Sequence, residues 1–213
     1  MSRIVLVRHG ETVWHAENRY AGSSDIALSH RGRRQAQALA RRAANAGLER
    51  LYVSPLGRAR ETARPVETVL GMEATVDARL RELDFGDGEG LTSREMSERF
   101  PSQYAAFRKD PVKHFLPGGE DPVAAIARGR AALADIAWQV GSQARVLLVG
   151  HNTLIRLLLC DLLGISPSRY RDVFPELGNV STSEIAVSER SVALLHFNAP
   201  ILAVEGETVS LKN

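Results

Sequence analysis

One cysteine in 213 residues rules out an internal disulfide, and lysine is almost as scarce, with 3 against 24 arginines. Genome composition can set such an arginine bias as readily as function can. The cysteine, Cys160, sits in Leu-Leu-Leu-Cys-Asp-Leu-Leu and reads as a buried thiol on a helix. No run is long and apolar enough to cross a bilayer, and Ile4–Val7 is too short for a signal-peptide core, so the cytoplasm is the expected location. A formal net charge of +2 gives no reason to expect nucleic acid or a membrane as partner. Neither glycine-rich nucleotide loop occurs, G-x-G-x-x-G or G-x-x-x-x-G-K-S/T. The sequence also lacks H-E-x-x-H and any cysteine cluster, so neither a metal nor another cofactor is expected. Repeats and low-complexity tracts are missing as well.

What is present is an ordinary globular composition, 44% hydrophobic and 24% charged, with enough length to bury a full core. Strand and helix patterns alternate, which predicts an α/β fold with a mainly parallel sheet covered on both faces. Residues 3–8 (RIVLVR), 51–54 and 145–150 (RVLLVG) read as strands, the first and last as buried central ones. Ser29 caps a helix whose Ala36, Leu39, Ala40 and Ala43 share a face, with Gly47 as its stop. A second helix carries Ala59, Thr62, Ala63, Val66 and Leu70, and Pro65 predicts a kink or late start within it. Residues 89–120 read as a helical excursion, with a capping box at Thr92–Glu95 and a helix opening at Pro101. Asp121 and Pro122 open a long helix ending at Gly141, and a nearly all-apolar helix runs from His151 to Gly164. A hairpin turning near Glu189-Arg190 precedes a tail over 199–213. The whole of 1–213 is expected to form a single domain.

His9 and His151 each stand directly after a central strand. In a parallel sheet the carboxyl ends of the strands share one edge, where ligands bind, so both imidazoles should reach one crevice. Arg8 adjoins His9, and Arg58 lies in the first turn of the helix after the second strand. Guanidinium groups match phosphate oxygens two at a time, so two arginines and two histidines at one point make a dianion pocket. Arg60 and Arg64 read as ordinary surface charges. Transfer from an ester also needs a proton donor, and Glu11, Glu82, Asp84, Asp87 and Glu89 are all near enough in sequence to serve.

Leu6–Thr12 (LVRHGET) is the strongest of a series of motifs. It is followed by Asp25–Ser29 with Gly32, Ser54-Pro55-Leu56 through Thr62-Ala63, and Arg81-Glu82-Leu83 with Phe85-Gly86. Glu89-Gly90-Leu91-Thr92, Pro117–Glu120 and Val149-Gly150-His151 complete it. In this order, over about residues 3–185, they resemble the histidine phosphatase, or phosphoglycerate mutase-like, superfamily. The resemblance implies a three-layer α/β/α sandwich with the small helical excursion over the active site. It implies that His9 becomes phosphohistidine, that Arg8, Arg58 and His151 complete the phosphate pocket, and that Glu82 is the proton donor. Glu82 must then be protonated when substrate binds.

Four positions depart from the family pattern. His15 stands where Asn is usual after Trp14, so phosphate could meet a neutral donor or a charge there. Gly88 replaces a tryptophan, which predicts a looser pocket wall. Asp121 stands where Ser is common and either faces the mouth or caps the next helix. Asn152 replaces a small residue and can contact phosphate or the leaving group. Substrate contacts are expected from Trp14–Gly22, including Ala21 and Gly22, and from the excursion. The expected partner is a small phosphorylated molecule; a homodimer is left open. Three rival readings remain: a cofactor-dependent phosphoglycerate mutase, which the stretch Glu17–Gly22 resembles, a metal-dependent hydrolase, and a non-catalytic phosphometabolite binder.

Overall fold

A computed structural model of the chain describes residues 1–188 and 191–201. Four parallel strands form the centre: β1 (Ser2–Arg8), β2 (Arg50–Val53), β3 (Thr75–Val76) and β4 (Arg145–Gly150). β5 (Thr182–Val187) pairs antiparallel with β1, and β6 (Val192–Ala199) pairs antiparallel with β5. The resulting order is β3-β2-β4-β1-β5-β6. The expected hairpin is therefore present as a strand pair, while its turn at Glu189-Arg190 and the tail beyond Ile201 lie outside the described residues.

Strand side chains alternate between two faces, and so the sheet has two cores. Val5, Val7, Leu51, Val53, Leu147 and Val149 face helices α1 (His30–Ala43) and α2 (Gly57–Leu70). Ile4, Leu6, Val146 and Leu148 face α5 (Pro122–Val140) and α6 (Asn152–Leu162). The three layers match the expected α/β/α sandwich. Ser29 caps α1 by accepting from the Gly32 amide at 3.0 Å, and Asp121 caps α5 by accepting from Val123 at 2.8 Å. Asp121 thus does the capping work and is exposed. α1 ends at Ala43, ahead of Gly47, which takes a left-handed conformation at φ 63°.

Two expectations need correction. α2 does not start late at Pro65; it runs from Gly57 to Leu70 with the proline inside. Its buried face, Ala59, Thr62, Ala63 and Val66, is held against α1 and the sheet, and that packing outweighs one lost backbone bond. Gly88 does not loosen a wall. The space a Cβ would take there is filled by Leu116 and Met96, both fully buried.

The excursion forms α3 (Ser93–Arg99), with the Thr92–Glu95 capping box, and α4 (Pro101–Lys109). Met96, Phe100, Tyr104, Phe107 and Leu116 join the α5–α6 core. Backbone bonds from Tyr20 to Leu91 (3.0 Å) and from Gly90 to Tyr20 (2.9 Å) tie the excursion to the loop after β1. Among the described residues, no helix is long and apolar enough to cross a membrane.

Candidate active site

The register of β1 and β4 sets Arg8 opposite Gly150, and the His9 amide donates to the Gly150 carbonyl at 2.9 Å. The two strand-end histidines are therefore neighbours, with ring centroids 5.1 Å apart. His9 Nδ1 lies 2.7 Å from the Gly10 carbonyl oxygen. A carbonyl only accepts, so Nδ1 carries the proton and Nε2 keeps its lone pair. Arg58 Nε donates to that lone pair at 3.2 Å. Burial, followed by the Arg58 and Arg8 charges, pushes His9 well below the ordinary imidazole range. Burial and Arg58 do the same to His151, whose Nε2 pairs with Ser54 Oγ at 2.7 Å.

His15 settles into the neutral form. Its Nδ1 accepts from the Thr12 amide at 3.0 Å, so a neutral ring carries its proton on Nε2. Burial, then the Arg8 charge, lowers its pKa to about 4. His15 Nε2 lies 2.5 Å from Arg8 Nη2, and its ring centroid 5.9 Å from that of His9. Two donors thus converge on one point beside His9, an arrangement that an oxyanion accepting from both would relieve.

Arg58 is fully buried; Arg8 is half-buried, with its Nε shut off from solvent. Arg8 Nη1 donates to the Leu177 carbonyl at 2.6 Å, and burial lowers its pKa to about 10. Arg58 Nη1 and Nη2 donate to the Ser24 and Gly22 carbonyls, each at 2.7 Å. A third guanidinium, that of buried Arg156, comes from α6, donates to the Phe174 carbonyl at 2.6 Å and lies over the Tyr170 ring. None of the three forms an ion pair among the described residues. Leaving such charges buried without carboxylates costs stability unless an anion binds.

Glu82 is the buried carboxylate whose charge acts on all three arginines. Its Oε1 accepts from the Leu83 and Leu154 amides at 2.9 and 3.0 Å, and its Oε2 from Thr153 at 2.9 Å. The last two amides belong to the first turn of α6. A carboxylate has about four lone-pair sites, so a single site on Oε2 is left for a proton. The competing acids are otherwise engaged or turned away. Glu11 binds the Ser29 hydroxyl at 2.7 Å, Asp84 the Gly86 amide at 2.7 Å, and Asp87 is exposed. Glu89 accepts from Ser23, Ser24 and Phe85.

The remaining expected residues fall around this cluster. Asn152 opens α6 next to His151, and Gly22 is buried beneath Arg58. Ala21 is half-buried on the same loop and adds no polar side chain. Buried side-chain polar atoms without a partner number four among the described residues, and three are here: Arg8 Nε, His151 Nδ1 and Asn152 Oδ1. The sequence reading missed Ser54, Arg156 and Asn179, whose Nδ2 donates to the His9 carbonyl at 3.0 Å. Arg156 had a signal, being an arginine within the apolar run Leu154–Leu159; Asn179 had none. No group of three or more His, Cys, Asp or Glu suited to a metal occurs among the described residues.

An α/β/α sandwich holding a lone-pair imidazole among buried guanidinium groups at its strand ends defines a protein of phosphoryl chemistry. The chain belongs to the histidine phosphatase superfamily (branch 1), whose sequence model matches residues 4–200. It is 31% identical over 198 residues to phosphoserine phosphatase 1 of Hydrogenobacter thermophilus, covering 93% of this chain and 92% of that one. It is 34% identical over 193 residues to the probable phosphoglycerate mutase GpmB of Yersinia enterocolitica, covering 89% and 86%. Among solved structures, Bacillus stearothermophilus YhfR superposes with a TM-score of 0.87 at 28% identity, over 94% of this chain and 98% of that one.

Proposed function

We propose that this protein hydrolyses the phosphomonoester of a small metabolite in two steps through a phosphohistidine at His9. In the first step the Nε2 lone pair attacks phosphorus, the P–O ester bond breaks, and Glu82 Oε2 gives its proton to the departing alkoxide. In the second, ionised Glu82 takes a proton from water, whose oxygen displaces Nε2 and releases inorganic phosphate. The transition state carries its charge on the equatorial oxygens, so positioned donors supply most of the acceleration. Arg8, Arg58, His151 and the His15 Nε2–H are those donors, with Asn152 at the α6 N-terminus and Ala21 and Gly22 on the leaving-group side.

The observation that carries this reading is the His9 Nδ1 bond to Gly10, which reserves Nε2 for attack. Rapid quenching with a 32P-labelled phosphomonoester should trap acid-labile, alkali-stable phosphoprotein in the wild type and none in His9→Ala. Steady hydrolysis without any labelled protein would overturn the covalent route. A phosphate-release screen over phosphoserine, phosphoglycerates, sugar phosphates and nucleoside monophosphates identifies the substrate.

Similarity to a probable phosphoglycerate mutase favours a second reading, in which the same phosphohistidine passes its group to an acceptor hydroxyl. Incubation with 3-phosphoglycerate separates the two. Free phosphate supports the hydrolase; 2-phosphoglycerate supports the mutase.

A further inference from the structure

We propose that Glu89 is a positioning residue, which orients the Arg58 guanidinium through a shared peptide plane without touching substrate. The proposal rests on the reading of Arg58 as a phosphoryl-binding group. The Gly22–Ser23 peptide faces both ways: its N–H donates to Glu89 Oε1 at 2.6 Å, and its C=O accepts from Arg58 Nη2 at 2.7 Å. A peptide is planar with N–H and C=O antiparallel, so fixing one end aims the other. The carboxylate also polarises the peptide and strengthens the carbonyl as an acceptor for Arg58.

The rest of Glu89 secures the same loop. Oε1 also accepts from Ser23 Oγ (3.1 Å) and the Phe85 amide (3.2 Å), and Oε2 from the Ser24 amide (2.8 Å) and the Ser24 hydroxyl. Burial opposes this charge, but the bonds from Ser24, Ser23 and Phe85 outweigh it and hold the carboxyl below its usual range. Ser24 then supplies its own carbonyl to Arg58 Nη1 at 2.7 Å. With both terminal nitrogens held by carbonyls, the guanidinium plane is set without the His9 lone pair, and one N–H of each Nη is left for phosphate. Gly22 permits the knot. A Cβ there would lie 2.5 Å from the Leu83 carbonyl and 2.8 Å from the Phe85 amide.

Glutamine at position 89 keeps one acceptor oxygen and turns an amide N–H2 toward donors, so it breaks the hold on at least one of Ser23 and Ser24. The test measures kcat/KM for p-nitrophenyl phosphate in wild type, Glu89→Gln, Arg58→Lys, Arg8→Lys and the two double variants. Glu89→Gln should lose about ten-fold in the wild type and again with Arg8→Lys, but under about two-fold with Arg58→Lys. Equal losses in all three backgrounds, or no loss, would overturn the role. If Glu89→Gln does not fold, Ser24→Ala removes one donor and keeps the carboxylate; its smaller loss must show the same dependence on Arg58. A wild type that does not cleave p-nitrophenyl phosphate at all refutes the phosphatase reading instead, so the two failures are distinguishable.

Discussion

At the starting ends of the parallel strands, Arg145 meets buried Glu184 through two contacts, Nε to Oε1 at 3.1 Å and Nη2 to Oε2 at 2.9 Å. At the finishing ends, Arg8, Arg58 and Arg156 meet carbonyl oxygens, imidazole and the Tyr170 ring, and form no ion pair among the described residues. One end of the sheet therefore has its guanidinium matched by a forked carboxylate, a stabilising arrangement. The other keeps the buried Arg58 and Arg156 guanidinium groups without a carboxylate, which costs stability and, under the proposed function, keeps that end ready for an incoming anion. Arginine is common throughout this chain; its partner, not its presence, distinguishes structure from function.

That contrast can be broken in several places. The largest effect is expected from His9→Ala, which should reduce phosphate release by about 10⁴-fold or more in steady-state assays. Arg58→Lys keeps the charge but loses the fork, and should lower kcat/KM by about 10²–10³-fold with little change in thermal midpoint. Near-normal kinetics would mean that the guanidinium plane is irrelevant. Glu82→Gln should slow alkyl phosphates by about 10²-fold and nitrophenyl phosphate much less, because a good leaving group needs no proton. Equal losses on both esters would count against the proton-donor role.

At the opposite end, Glu184→Gln should cost about 3 kcal/mol in denaturant unfolding while leaving kcat/KM within about two-fold of wild type. A large kinetic defect there would erase the distinction between the two ends. The smallest effect concerns His15. Its folded-state pKa of about 4 lies below the ordinary 6.5, so between those values the unfolded chain binds more protons. Stability should fall as pH drops from about 6.5 toward 4, and His15→Asn should flatten part of that slope in thermal melts.

Much of the site was legible because two strands of strong pattern each end in histidine. RIVLVR and RVLLVG cannot be anything but buried strands in this context, and parallel pairing brings their ends together. Ser29, Asp121 and the Thr92–Glu95 box were equally readable, since capping is local chemistry. The late start allowed for at Pro65 failed because the cost of a proline is local, whereas the packing that overrides it comes from α1 and the sheet. Gly88 misled because a missing side chain says nothing of what fills its place; Leu116 comes from 28 residues further on. Among five nearby acids, spacing had no means of singling out Glu82, two of whose three amide donors lie on α6, more than 70 residues away.

The chain's own order of residues determined the α/β class, the strand-end histidines and the arginine-rich character of the site, because periodicity and capping depend on neighbours a few positions apart. Tertiary structure alone decided which ring nitrogen of His9 keeps its lone pair, which carboxylate faces the arginines and which guanidinium groups go unpaired. Those outcomes depend on hydrogen bonds and burial between segments remote in sequence, and no local pattern encodes the far partner.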